Sequence, residues 1–194
     1  MFTIETKILS YSELSEEAKE KAMEHLQDSV RNDPYLLENT SAELIQTMQA
    51  IAKMMGGKLS DYSFGEYCRG HKMRIELPYQ YPDEGTRLLA VFTRGLIENG
   101  YDRPRHFHEQ EFPGTCGLTG VYCDDDLLDV IHSSLVRGDS WDCACDSAAY
   151  RAGQILEEER DYLSNEQAIL ETLNEDEEQF LESGEFDQCY HRQA

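Results

Sequence analysis

Residues 141–156 read Trp141-Asp142-Cys143-Ala144-Cys145-Asp146-Ser147-Ala148-Ala149-Tyr150-Arg151-Ala152-Gly153-Gln154-Ile155-Leu156, followed at once by Glu157-Glu158-Glu159. Trp141, Ala144, Ala148, Ala152, Ile155 and Leu156 recur at the three- and four-residue steps of a single helix face, which makes them a candidate core stripe. The stripe continues after Leu163-Ser164 through Ala168, Ile169, Leu173 and Phe180, so the chain from Asp139 onward is expected to be almost wholly helical.

Upstream, Thr115 to Cys123 is rich in Thr, Gly, Val and Tyr and reads as a strand. It runs into Asp124-Asp125-Asp126, where an aspartate can cap a helix carrying Leu127, Leu128, Ile131 and Leu135, with Gly138 as its stop. Before it, Lys72 to Leu77 alternates as a strand does, and Arg87 to Ile97 is assigned to helix although so short an apolar run fits a buried strand as well. Leu44, Ile45, Met48, Ile51, Ala52 and Met55 define a helix from about Ser41 to Met55, with Gly56-Gly57 beyond it; the methionines are core filler. Ser15 precedes Glu16-Glu17 and Ala18, Ala22, Leu26 and Val30 at four-residue steps, a capped helix with acids in its positive first turn. The opening Phe2, Ile4, Thr6 and Ile8 alternate with Thr3, Glu5 and Lys7, predicting a strand over 2–9. The expectation is an α+β fold, a small antiparallel sheet packed by several helices. Residues 1–138 would form the α+β core and residues 139–194 an acidic helical region packed on it, within a single domain.

The 194 residues carry 17 Lys plus Arg against 39 Asp plus Glu, a net charge of −22. A hydrophobic content of 40% is enough for a core, while 29% charged residues and a mean hydropathy of −0.62 make the surface very polar. Such a charge opposes direct binding to nucleic acid or anionic lipid, because each phosphate contact needs a protein cation. Neither a basic segment leading into an apolar run nor a long apolar span is present, which predicts a soluble, cytoplasmic protein with no membrane partner. The six cysteines, Cys68, Cys116, Cys123, Cys143, Cys145 and Cys189, are irregularly spaced and are expected to be free thiols.

His106-Phe107-His108 with Glu109 and Glu111, and Cys143-Ala144-Cys145, offer metal-binding residue types. The paired knuckles of a zinc site are missing, and helical residues two apart face different ways, so no metal and no cofactor are expected. Asp124, Asp125, Asp126 and Asp129 lack the alternating ligands and closing Glu of a calcium loop. Nucleophile elbow, phosphate loop and dinucleotide fingerprint are all absent, so no catalytic residue is assigned.

Charge is unevenly distributed. Residues 1–58 carry −4, residues 59–123 carry −2 and residues 124–194 carry −16. Between Glu157 and Glu182 stand eleven acids and a single base, Arg160. As one continuous helix those positions would extend about 39 Å, with a net charge every ~4 Å. A strand of B-DNA carries one per about 3.4 Å. A fixed acidic face of that density could mimic nucleic acid and be drawn into the Lys/Arg groove of a nucleic-acid-binding protein. On charge alone, a solvated face that aids solubility is the weightier explanation.

Three stretches shift that balance: Tyr11 to Ala22, Leu118 to Leu128, and Ser164 to Asn174 with Phe180 and Gly184. They resemble the opening helix, the strand-into-helix segment and the acidic tail of a family of small accessory proteins of tailed bacteriophages and prophages, some labelled as antitoxins of toxin-antitoxin stability systems. Where that family has a Ser-Gln-Gly-Asp-Gly-like turn, this chain has Tyr67-Cys68-Arg69-Gly70-His71-Lys72. The resemblance implies an accessory protein acting in a bacterial cytoplasm and transfers no catalytic residue. It favours an anti-CRISPR or anti-restriction type of inhibitor that blocks a basic nucleic-acid-binding host defence protein. Glu157, Glu158, Asp161, Glu175, Asp176, Glu178 and Glu182 are the acids expected to make that contact. An antitoxin-like protein neutralising a cognate toxin is the alternative, and a metal-dependent enzyme stands behind both.

Overall fold

The computed structural model describes residues 8–63, 72–78, 85–98, 118–119, 123–175 and 179–185. Among them the fold is α+β, with six helices and two separate two-stranded antiparallel sheets. In chain order the elements are β1 (Ile8–Ser10), α1 (Glu16–Arg31), α2 (Glu38–Met54), β2 (Lys58–Ser63), β3 (Lys72–Glu76), α3 (Gly85–Glu98), α4 (Cys123–Val136), α5 (Trp141–Leu163), α6 (Glu166–Glu175) and β4 (Gln179–Leu181). Contacts divide the chain into two units, Leu37–Glu158 and the pair of segments Met1–Leu36 and Glu159–Ala194. The boundary at Glu158 falls inside α5, whereas the division expected at residue 138 follows the onset of the helical pattern at Asp139.

The larger unit is built on the alanine stripe. Ala144, Ala148, Ala149 and Ala152 of α5 are all fully buried, in one core with Leu44, Met48 and Ile51 of α2, Phe92 of α3 and Leu128 and Ile131 of α4. Small side chains let helices approach closely, and the large ones supply the apolar area, each about 1.5–3 kcal/mol when fully buried. Trp141 opens α5 and ties it to the sheet, its indole Nε1 donating to Ile75 O at 3.1 Å while its ring meets Phe92 at a centroid distance of 6.4 Å. An indole N–H buried without an acceptor would be costly, so this bond fixes the register of α5 against β3. Sheet register runs from Lys58 opposite Glu76 to Ser63 opposite Lys72, with an irregularity between Leu59 and Asp61. Gly57 leads into β2 where a Cβ would lie 2.4 Å from Glu76 O, so only glycine fits.

The smaller unit joins segments far apart in sequence. β1 pairs with β4, Leu9 opposite Phe180, and these two residues pack with Leu14, Ala18 and Ala22. Tyr11 meets Phe180 edge-on at 5.9 Å. The turn after β4 closes on α1 through Gly184, which has φ +85 and leaves a Cβ only 2.3 Å from Ala18 O. Ser15 caps α1, its side chain accepting from Ala18 N at 3.3 Å, and Arg31 occupies the last turn.

Several sequence expectations need correction. Helix α4 begins at Cys123, so Asp124, Asp125 and Asp126 sit in its first turn rather than capping it from outside. There Asp125 and Asp126 still lie at the positive end of the helix dipole. Phe180 belongs to a strand, not to a helical stripe, because its backbone pairs with Leu9. The helix predicted from Ser41 starts earlier, at Glu38, and β2 had no assignment. Of the predicted strand 2–9 only Ile8 and Leu9 lie within the described residues and both are in β1; of the strand predicted over 115–123 the described residues are Leu118 and Thr119, which lie in a bend and not in a strand, and Cys123, which opens α4.

Candidate interaction surface

The continuous acidic helix does not form. α5 stops at Leu163, and Asn165 starts a new helix by accepting from Ala168 N through its Oδ1 at 2.9 Å. An Asn side chain that satisfies a free N–H of the next turn is an N-cap, so local capping chemistry breaks the rod that the charge pattern suggested. Ser164, buried at the break, has its Oγ 3.4 Å from Arg31 Nε. The even spacing of one charge per few ångströms over 26 positions therefore has no structural counterpart.

The predicted contact residues distribute as follows. Glu157 and Glu158 are exposed on α5 in the larger unit. Asp161, exposed in the last turn of α5, and Glu182, exposed in the turn after β4, belong to the smaller unit. Glu175 closes α6, but its side chain, together with Asp176 and Glu178, lies outside the described residues.

Glu158 is already engaged. Arg151, one helical face upstream on α5, donates from Nη1 to Glu158 Oε1 at 2.7 Å and from Nε and Nη2 to Asp126 Oδ1 at 3.1 and 3.0 Å. The hydrogen bond to Glu158, and then the one to Asp126, holds the Arg151 guanidinium above its ordinary pKa against the opposing effect of burial. This fork ties α4 to α5 and cancels much of the charge that Glu158 would offer to a partner.

The smaller unit gathers acids that sequence order keeps apart. α1 and α6 pack together, and between them lies a groove of about 510 Å³. Its apolar lining is the buried Met23 with the half-buried Tyr11 and Leu170. Exposed Glu16, Glu20, Glu24 and Glu166 supply its carboxylates, and Lys19 its single cation. Lys19 is spoken for by Glu16, at 2.9 Å. Among the described residues Glu20, Glu24 and Glu166 form no ion pair. The Tyr11 hydroxyl registers the field: burial raises its pKa first, the Glu166 charge adds to that, Lys19 opposes it and Glu16 adds further. Glu16, Glu20, Met23, Glu24 and Gln27 stand at helical steps on one face of α1, a signal present in the sequence; their meeting with Glu166 and Leu170 requires the β1–β4 closure, which was not.

The metal candidates fare differently. His106, His108, Glu109 and Glu111 lie outside the described residues, as does the Tyr67–His71 turn. Cys143 is exposed and Cys145 buried, as expected two positions apart on a helix. Burial pushes the Cys145 thiol up to about 12, the Ile75 backbone hydrogen bond opposing it and Asp142 and Asp146 adding to it. A thiol so hard to ionise is a poor nucleophile and a poor metal ligand. Among the described residues no group of three His, Cys, Asp or Glu side chains is placed to hold a metal ion, and no helix is long and apolar enough to cross a membrane. Comparison with protein-family models, with curated proteins and with solved structures gave no match for the chain.

Proposed function

We propose that the protein binds a basic, nucleic-acid-binding protein of a bacterial host and blocks it, as a phage-encoded inhibitor of the anti-CRISPR or anti-restriction type working in the cytoplasm. The observation that carries this reading is the charge distribution: −16 of the −22 lies in residues 124–194, and the described contact acids Glu157, Glu158, Asp161 and Glu182 are all exposed. A concentration of fixed negative charge steers a basic partner from a distance and competes with its nucleic acid for the same cations. With the rod broken at Ser164, the mimicry is one of local acidic clusters rather than of a regular phosphate ladder.

The test is capture from a nuclease-treated bacterial lysate by the wild-type chain and by Glu157→Lys/Asp161→Lys/Glu175→Lys/Glu182→Lys. Loss of the captured protein with far-UV ellipticity unchanged is expected. Undiminished capture would reject the acidic surface as the binding element. The apolar lining of the α1–α6 groove also suits the second reading, an antitoxin-like protein that covers a toxin through a mixed apolar and acidic surface, and capture of a small toxin would select it.

A further inference from the structure

We propose that the groove between α1 and α6 is a docking site for an arginine-bearing segment of the partner protein, seating an arginine side chain with its stem on Met23 and Leu170 and its guanidinium among Glu20, Glu24 and Glu166. The inference rests on the reading that the acidic surface meets a basic protein, and names the part of that protein it grips.

Size, lining and charge converge on this occupant. A volume of about 510 Å³ falls within the range of side-chain and small-ligand pockets, about 300–1,000 Å³, so it takes one or two long side chains. A purely ionic site would have no use for Met23, Tyr11 and Leu170. An arginine has both halves: a three-carbon stem that lies along apolar surface, and a planar head with five donors. Three carboxylates without ion pairs among the described residues, on two helices, offer acceptors from more than one side. Tyr11 also lines the groove and adds aromatic surface beside these carboxylates, which suits a guanidinium. Lysine brings a compact, strongly hydrated charge that neither forks between carboxylates nor stacks as well. The site should therefore discriminate between two peptides of equal charge, which a featureless acidic surface cannot do.

The experiment uses the full chain and two fluorescein-labelled nine-residue peptides, one with four arginines spaced by glycine and alanine and its lysine twin, with binding read by anisotropy at low and physiological salt. The arginine peptide is expected to bind about tenfold more tightly than the lysine peptide, about 1.4 kcal/mol. Glu20→Gln/Glu24→Gln/Glu166→Gln should weaken it about tenfold or more, as should Leu170→Arg, which fills the groove with the chain's own guanidinium. Glu38→Gln/Glu98→Gln/Asp146→Asn, three exposed acids of the larger unit outside both the groove and the contact set, removes the same charge elsewhere and should leave binding within about twofold. Far-UV ellipticity establishes that each variant is folded. Equal affinity for the two peptides, or equal loss in the two triple variants, overturns the proposal. Capture of a host protein without any peptide preference would reject the groove and leave the acidic-surface reading standing. Peptide preference without capture would do the reverse.

Discussion

The larger unit holds its shape by packing, and the smaller one by closure of distant segments. Among the described residues, twenty-two buried ones from α2 and its C-cap Met55, β3, α3, α4 and α5 share the first core, and five share the second. Five buried side chains, two of them alanine, supply little apolar area to offset the entropy of ordering their segments. The smaller unit therefore depends on special backbone positions, above all Gly184 against Ala18. It is also where α1 and α6 put carboxylates that form no ion pair among the described residues around a partly apolar groove. Strong packing and concentrated charge sit in different parts of the molecule, and mutual repulsion among surface acids falls on the unit least able to absorb it.

The largest effect that would break this comparison is expected at Trp141. Trp141→Ala removes the Phe92 contact and the bond to Ile75 O, and should cost about 3–5 kcal/mol in urea unfolding. Because Trp141 is the sole tryptophan, its fluorescence reports the larger unit alone in the wild-type chain. Next comes Gly184→Ala, which forces a Cβ into the Ala18 carbonyl at a positive φ. A loss of about 2 kcal/mol is expected, seen as an earlier ellipticity transition while the midpoint of Trp141 fluorescence stays put. Coincident transitions in that variant would show the two units to be one cooperative body.

Smaller effects sharpen the picture. Ser15→Ala deletes the cap of α1 and should cost about 0.5–1 kcal/mol, read by thermal unfolding of the ellipticity signal. Arg151→Gln opens the fork to Asp126 and Glu158; with both acids largely exposed, a loss of about 0.5–1 kcal/mol is expected by urea unfolding monitored through Trp141. Alkylation mapped by mass spectrometry should mark Cys143 in the folded protein and spare Cys145 until denaturant is added. The raised Cys145 pKa has a further consequence. Above the ordinary thiol value of 9.0 the unfolded chain loses a proton that the folded chain keeps to about 12, so this group's contribution to stability falls as pH rises through that window.

Local patterns were legible in the sequence and long-range ones were not. The α1 cap at Ser15, the α5 stripe from Trp141 to Leu156 and the alternation of Lys72 to Glu76 are written at helical or strand spacing, and each element formed where that spacing put it. The meeting of Leu9 with Phe180 joins positions with no local relation, so Phe180 at the end of a helical stripe read as helix. The same blind spot governed the site. Counting acids along the chain pointed to Glu157 through Glu182 as a rod, whereas an asparagine cap interrupts it and the fold assembles its groove from Glu20, Glu24 and Glu166. A cap residue in the middle of a charge run was the available signal, and Asn165 ahead of Glu166 carried it.

The most direct test of the central claim is displacement: a host protein captured on the immobilised chain from nuclease-treated lysate is challenged with duplex DNA or RNA and, in parallel, with a salt gradient. If the acidic surface occupies the partner's nucleic-acid site, nucleic acid releases a basic protein and salt does so sharply. A partner that stays bound under saturating nucleic acid, or a small protein that salt does not release, would contradict it.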